Sequence, residues 1–244
     1  SVISWNILFV IMACFAAVPL FLVLFLKEEE LSGTVESEQE GILKVVSIFI
    51  ESVKYPAFKW LLIFVCTYKF GEIIIDLMFK PFLIDSGIKS SDIGLWVGTY
   101  GMVASIAGSI AGGMLASKLN VYRALLTASI ARLFPLMFIT YLTLGIPGKE
   151  YVVASTLLEH FFGGMLTTTL FAFMMWNSDK RIGATHYTIL ASAEVLGKMP
   201  GSFFSGVITE AAGYTNTFIA GTVISAVVIF ILPLYRRSSV KEHI

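Results

Sequence analysis

Apolar residues in this chain arrive in blocks of about 20 or more, the length a helix needs to cross a bilayer hydrocarbon core. "WNILFVIMACFAAVPLFLVLF" (5–25) and "TFIAGTVISAVVIFILPLY" (217–235) are two of them. Blocks of this kind fit either a bundle of membrane spans or a soluble all-helical protein with several fully buried helices. Composition decides between the two. Of 244 residues, 57% are hydrophobic and 14% charged, with a mean hydropathy of +0.83, whereas a soluble domain carries about 25% charged residues. The fold class predicted is an all-α, multi-pass integral membrane protein, with the lipid bilayer as its first partner. Formal net charge is zero, so no basic tail points toward nucleic acid. Cys14 and Cys66 both fall inside apolar blocks and read as small hydrophobes rather than as a disulfide or metal pair.

Seven candidate spans can be drawn, at 5–26, 57–79, 92–117, 122–144, 151–176, 184–211 and 214–235. The connections are short except for 27–56. That segment opens with the acidic "KEEELSGTVESEQE" and continues as "GILKVVSIFIESVKY". There Ile42, Val46, Phe49 and Val53 share one helical face, opposite Lys44, Ser47, Glu51 and Lys54. This pattern suits a helix lying in the membrane interface; a solvated linker helix is the alternative. The chain thus divides into one span (1–26), a linker (27–56), a six-span bundle (57–236) and a tail (237–244). It begins almost at once within a span and without an initiator Met, so we expect an N-terminal part of a larger polypeptide to be missing. Lys27, Lys44, Lys54, Lys59, Lys118, Arg123, Lys180, Arg181, Arg236, Arg237 and Lys241 collect on one side, against Lys80, Lys89 and Lys149 on the other. By the positive-inside rule the linker and the C-terminus are cytoplasmic; the organelle stays open.

In "ASIAGSIAGGMLA" the small residues Ala104, Gly108, Gly112 and Ala116 recur every four positions. They form a face along which a neighbouring helix can approach closely, which is a packing device. Pro135 and Pro200 lie within spans and kink them, because each lacks an N–H and crowds the carbonyl four residues earlier.

Ionisable residues inside spans cost on the order of 2.5–3.5 kcal/mol each, yet several are present. In 57–79, Lys69, Glu72 and Asp76 follow an i, i+3, i+7 spacing and line one helix face; Lys69 and Glu72 are close enough to pair. Glu194 and Lys198 form an i, i+4 pair in 184–211. Arg132 sits mid-span in 122–144, and Glu159 and His160 lie inside 151–176. Each pair taken alone could be a structural lock between helices. Four of the last six spans bring charges of both signs to similar depths, however, and a polar cavity that meets a charged solute explains them together. His186 and Tyr187, near the cytoplasmic end of their span, are gate or interface candidates.

Catalytic chemistry is poorly represented. No HExxH, Walker-type GxxxxGK[ST] or GxGxxG after a strand occurs, and the histidines (His160, His186, His243) lack metal-ligand spacing. Ser192, Ser202 and Ser205 have no nucleophile-elbow context. The expectation is a protein that is not an enzyme, with no metal, cofactor or ATP site.

The order of spans resembles the C-terminal half of a major facilitator superfamily transporter, with 5–26 standing for the sixth span and 27–56 for the central linker. "GGMLASKLNVYRALL" (112–126) occupies the place of that superfamily's cytoplasmic loop motif, making Lys118 and Arg123 gate candidates. Ser117 stands where an Asp is typical. "YKFGE" (68–72), "DIGLWVGTYGMVASIAGSIAGG" (92–113), "EHFFGGMLTTTLFAFMM" (159–175) and "ATHYTILASAEVLGK" (184–198) together resemble one branch of the superfamily. That branch groups the endoplasmic-reticulum acetyl-CoA transporter with bacterial muropeptide permeases. The resemblance implies six spans here of twelve, a missing N-terminal half as partner, alternating access, and proton-coupled movement of a bulky, often anionic solute. Lys69, Arg132 and Lys198 would then attract an anionic group, and Glu72 or Glu194 would serve as a protonatable switch. A non-transporting membrane scaffold or receptor on the same fold is the competing expectation.

Overall fold

The apolar blocks are helical in the computed structural model, which describes residues 5–25, 47, 50, 54–145, 148–178 and 183–242. The expected interfacial helix, apart from 47, 50 and 54–56, lies outside the described residues, as do Lys27, Lys44, Lys180, Arg181 and His243. The chain separates into two units, Ser1–Ile42 and Leu43–Ile244. The first contains α1, Trp5–Phe25. α1 itself has no charged residue, and its Phe9, Phe15 and Phe21 are exposed, the pattern of a helix that is hydrophobic all round.

The second unit is a helical bundle. Its first predicted span is two helices, α2 (Pro56–Thr67) and α3 (Phe70–Asp85), separated by a turn at Tyr68 and Lys69. α3 runs past the predicted end at 79 and contains Pro81. α4 spans Ser90–Lys118; its segment Gly94–Tyr100 is wound as a π-helix between α-helical flanks. α5 is Val121–Leu142, started by Asn120, whose side chain accepts from the Arg123 N–H at 2.8 Å. That is the expected chemistry of an N-cap. α6 is Lys149–Trp176.

The helical stretch Gly183–Ile229 is interrupted at Gly213 (φ 78°, ψ 167°) and comprises α7 (183–212) and α8 (214–229). Gly201 on α7 abuts Ile73 and Phe70, and Gly221 on α8 abuts Gly71 and Ile75. Both arms therefore lie beside the same part of α3, and the chain folds back at Gly213. α9 (Ile231–Glu242) follows after a turn at Phe230. Four helical stretches among the described residues are long and apolar enough to cross a membrane: Ser90–Lys118, Val121–Leu142, Lys149–Trp176 and Gly183–Ser238. Gly213 adopts torsions open essentially to glycine alone. Gly213→Ala is expected to lower stability by about 1–3 kcal/mol, read as a drop in melting temperature of the purified protein in detergent.

Glycines set the closest helix contacts. A Cβ on Gly108 would fall 1.9 Å from the Phe161 carbonyl oxygen, and one on Gly112 would fall 2.6 Å from that of Met165. Gly164 on α6 returns the contact, its Cβ position lying 2.3 Å from the Ser105 oxygen. The α4–α6 seam is thus backbone against backbone, as the small-residue spacing predicts.

The core is divided. One apolar cluster contains Phe64, Leu125, Phe173 and Leu232; the other contains Ile75, Phe82, Leu136, Val152 and Phe218. Between the clusters, α3, α5, α6 and α8 each contribute buried or half-buried polar residues: Glu72, Ser129 and Arg132, Glu159, and Ser225. The first cluster lies toward the end where Tyr122, Tyr235 and Asn177 meet and where Arg236 sits 5.3 Å from the Tyr122 ring centroid. Toward the other end, Tyr214 donates to Asp85 at 2.5 Å and Thr215 to the Thr143 carbonyl at 3.2 Å. Lys118, Arg123 and Arg236 belong to the first end by chain position, and Lys89 and Lys149 to the second.

Candidate functional site

Arg132 anchors the polar layer. It faces inward from α5 and is 2% exposed. A guanidinium presents five donors in a planar fork and can be buried only where acceptors converge on it. Here its Nε donates to Glu72 Oε1 at 2.6 Å and its Nη2 to Glu159 Oε1 at 2.5 Å. Its Nη1 donates to the Glu159 backbone oxygen. Asp76 Oδ1 stands 3.9 Å from Nη2. α3, α5 and α6 are tied together through this one side chain. His160 Nδ1 lies 2.5 Å from Glu159 Oε2 and 3.0 Å from the Thr156 oxygen. Gly101 on α4 leaves room for the imidazole, since a Cβ there would stand 2.7 Å from the ring.

The sequence spacing allowed Glu72 to pair with Lys69. The structure pairs it with Arg132 instead. Lys69 is the N-cap of α3 (φ −92°, ψ −2°), beyond the break, whereas the guanidinium satisfies Glu72 with a short, aligned, charge-assisted bond.

These groups border a cavity of about 350 Å³, lined by Lys69, Glu72 and Asp76 of α3 and its cap, by Arg132, and by Glu159 and His160. Ser105, Ser109 and Thr167 add hydroxyls, and Lys80 stands at its margin. Lys69 and Lys80 make no ion pair with a described residue. The predicted Lys69, Glu72, Asp76, Arg132, Glu159 and His160 are therefore brought together.

Glu194 and Lys198 form a second cluster. Lys198 Nζ is 2.6 Å from Glu194 Oε1, and the Tyr68 hydroxyl donates to the same oxygen at 2.7 Å. They do not line the cavity. Their helix, α7, packs against the α2–α3 break, with Gly197 against the Cys66 oxygen and Gly201 against that of Phe70. Both contacts place the pair beside Tyr68. Among the gate candidates, Lys118 and Arg123 are exposed. His186 is buried with its ring centroid 4.9 Å from that of Phe58, and Tyr187 meets Phe171 edge-on at 6.4 Å.

Sequence reading passed over Tyr68, although it lies within the quoted "YKFGE". A tyrosine in an apolar run needs a partner for its hydroxyl, and that requirement was the available signal. Lys80, read as a loop residue, reaches the cavity because α3 continues to Asp85. Ser105, Ser109 and Thr167 carried no signal that separates them from small packing residues. Among the described residues no group of His, Cys, Asp and Glu could hold a metal ion.

No protein-family model matches the chain. The anhydromuropeptide permease of Escherichia coli K12 is 30% identical over 186 residues, covering 75% of this chain and 37% of the permease. A Rickettsia felis protein bearing the name AmpG 4, provisionally assigned as a transporter, is 25% identical over 232 residues. That match covers 94% of this chain and 56% of the relative. The chain thus spans about half the length of the curated relatives it matches. Among solved structures, the POT family transporter PepTSo aligns with a TM-score of 0.61 at 15% identity, over 75% of this chain and 38% of that one.

Proposed function

The chain has the fold of one half of a major facilitator superfamily transporter, and on that premise we propose that it forms the C-terminal half of a carrier for a small polar solute bearing an anionic group. The observation that carries this reading is the cavity bordered by Lys69, Asp76 and the Arg132 network. A cavity with both signs of charge near the middle of a membrane bundle suits solute binding better than inert packing. Arg132 is committed to Glu72 and Glu159, and Lys198 to Glu194. The anion therefore falls to Lys69, with Lys80 at the margin. Acetyl-CoA and related metabolites fit that chemistry, as does a muropeptide of the kind the Escherichia coli relative is named for.

Transport would proceed by alternating access against a partner half, with the basic end of the bundle, the linker and the C-terminus on the cytoplasmic side. Proton coupling is assigned to Asp76 rather than Glu72 or Glu194. Glu72 is held by Arg132 at 2.6 Å, and Glu194 by Lys198 and Tyr68. Asp76 meets Arg132 only at 3.9 Å and its side chain is 34% exposed, so it can exchange a proton with a wet cavity.

The test is a thermal-shift screen of the purified protein with CoA esters, muropeptides, nucleotides, sugars and amino acids. Solutes with an anionic group should raise the melting temperature. Lys69→Gln should raise the solute concentration needed for that response about tenfold or more, the loss of affinity expected for one charge-assisted hydrogen bond. If no compound stabilises the protein at millimolar concentration, the carrier reading fails and a non-transporting scaffold on the same fold takes its place.

A further inference from the structure

Two polar atoms in the middle of the bundle have no hydrogen-bond partner among the described residues although both are buried: Glu72 Oε2 and Ser225 Oγ. Glu72 is 2% exposed and Ser225 8%. An unpartnered acceptor on a buried carboxylate is costly, because that oxygen has given up hydration and gained nothing. Both residues border one small void of about 20 Å³, which Tyr68, Ser129 and Arg132 also line. The remaining wall is apolar, with Phe64, Leu133 and Leu166 among its residues. A void of this volume exceeds the roughly 10–15 Å³ that one water requires, and such a water needs two to four polar partners.

We propose that this void is a site for a single bound water that bridges Glu72 to Ser225 and to Tyr68. The water donates one hydrogen to Glu72 Oε2 and accepts from the Ser225 hydroxyl. Its second hydrogen goes to the Tyr68 oxygen, whose own hydrogen is committed to Glu194. Every polar group then has a role it can fill. Arg132 is already engaged by Glu72 and Glu159, and Ser129 donates to the Leu125 carbonyl at 2.8 Å.

The consequence is continuity. Without the water, the polar layer consists of two separate networks, one around Arg132 and one around Glu194. With it, the hydrogen bonds run unbroken from Glu159 through Arg132, Glu72, the water, Tyr68 and Glu194 to Lys198. The charged groups that bear on Glu72 are Arg132 of α5, Glu159 of α6, and Asp76 and Lys69 of α3 and its cap. Through the water their state reaches Glu194 and Lys198 on α7. The site itself does not depend on the carrier reading; only its use in coupling rests on it.

The experiment is infrared difference spectroscopy of the purified protein in lipid nanodiscs, exchanged between ordinary and oxygen-18 water, and it needs no solute. Wild type should show an O–H stretching band that shifts with oxygen-18. Ser225→Ala and Tyr68→Phe should each abolish or displace it. Ser225→Ala should also lower the melting temperature by about 2–4 °C, the shift that loss of one net hydrogen bond gives a protein of this size. A dry void predicts the opposite sign, because removing an unpartnered hydroxyl relieves a penalty. Absence of the band in wild type overturns the proposal. So does its survival in both variants, or a Ser225→Ala protein at least as stable as wild type. Should Ser225→Ala fail to fold, the wild-type and Tyr68→Phe spectra decide.

Discussion

Arg132→Met is expected to lower stability by about 3–5 kcal/mol, the cost of removing one partner from a buried ion pair. The methionine is apolar and of similar length, so the loss comes from what is left behind. Glu72, 2% exposed, and Glu159 would face each other and Asp76 across a layer with no cation at its centre. Like charges so placed must be neutralised or hydrated, and either response loosens the bundle. Restoring charge balance should recover part of the loss: Arg132→Met with Glu72→Gln should be more stable than Arg132→Met alone. Unfolding of the purified proteins in detergent measures both. Equal stability of Arg132→Met and wild type would mean that the network is solvated rather than buried.

Gly108→Leu should cost about 3 kcal/mol or more, at the upper end of what overpacking does. Its Cβ would lie 1.9 Å from the Phe161 oxygen and 2.7 Å from the carbonyl carbon of the same residue. Both are backbone atoms, so no side chain can rotate away, and α4 and α6 must separate along their whole seam. Separation also withdraws Glu159 and His160 from the neighbours that position them. Gly113→Ala is the control, since a Cβ there meets nothing within 4 Å and should change stability by less than about 0.5 kcal/mol. The comparison is made by melting temperature. A Gly108→Leu protein as stable as the Gly113→Ala control would show that the seam is not held at backbone distance.

Much of the architecture was legible because a bilayer imposes few choices. Helices must be about 20 residues long and apolar, so span number and depth can be read from runs of residues. The spacing of Gly108 and Gly112 likewise named the seam that forms. Depth and helical phase placed Lys69, Glu72 and Asp76 on one face, and the structure brings all three to one cavity. What the sequence could not show was which neighbour each face meets. Glu72 and Arg132 are 60 positions apart, and nothing local prefers that pair over Glu72 with Lys69. Glu194 and Lys198 looked like members of the same cavity because both fall in the interior of a span, as Glu72 does. α7 packs against the break between α2 and α3, with Gly197 against Cys66 and Gly201 against Phe70, so the pair sits short of Glu72 along that span. The break was equally invisible: "CTYKFG" contains no proline and reads as uninterrupted helix.

That break gives Lys69 a second character. α2 and α3 are short, stiff rods, each pinned by glycine contacts to the hairpin of α7 and α8, and the backbone of Tyr68 and Lys69 is the only covalent link between them. A modest change in the torsions of one residue there swings one rod against the other, whereas a continuous helix would have to shear its hydrogen bonds to do so. The same residue carries the ammonium that faces the cavity. A cavity-lining charge and the gap in the span's ladder of helical hydrogen bonds thus fall on one and the same residue.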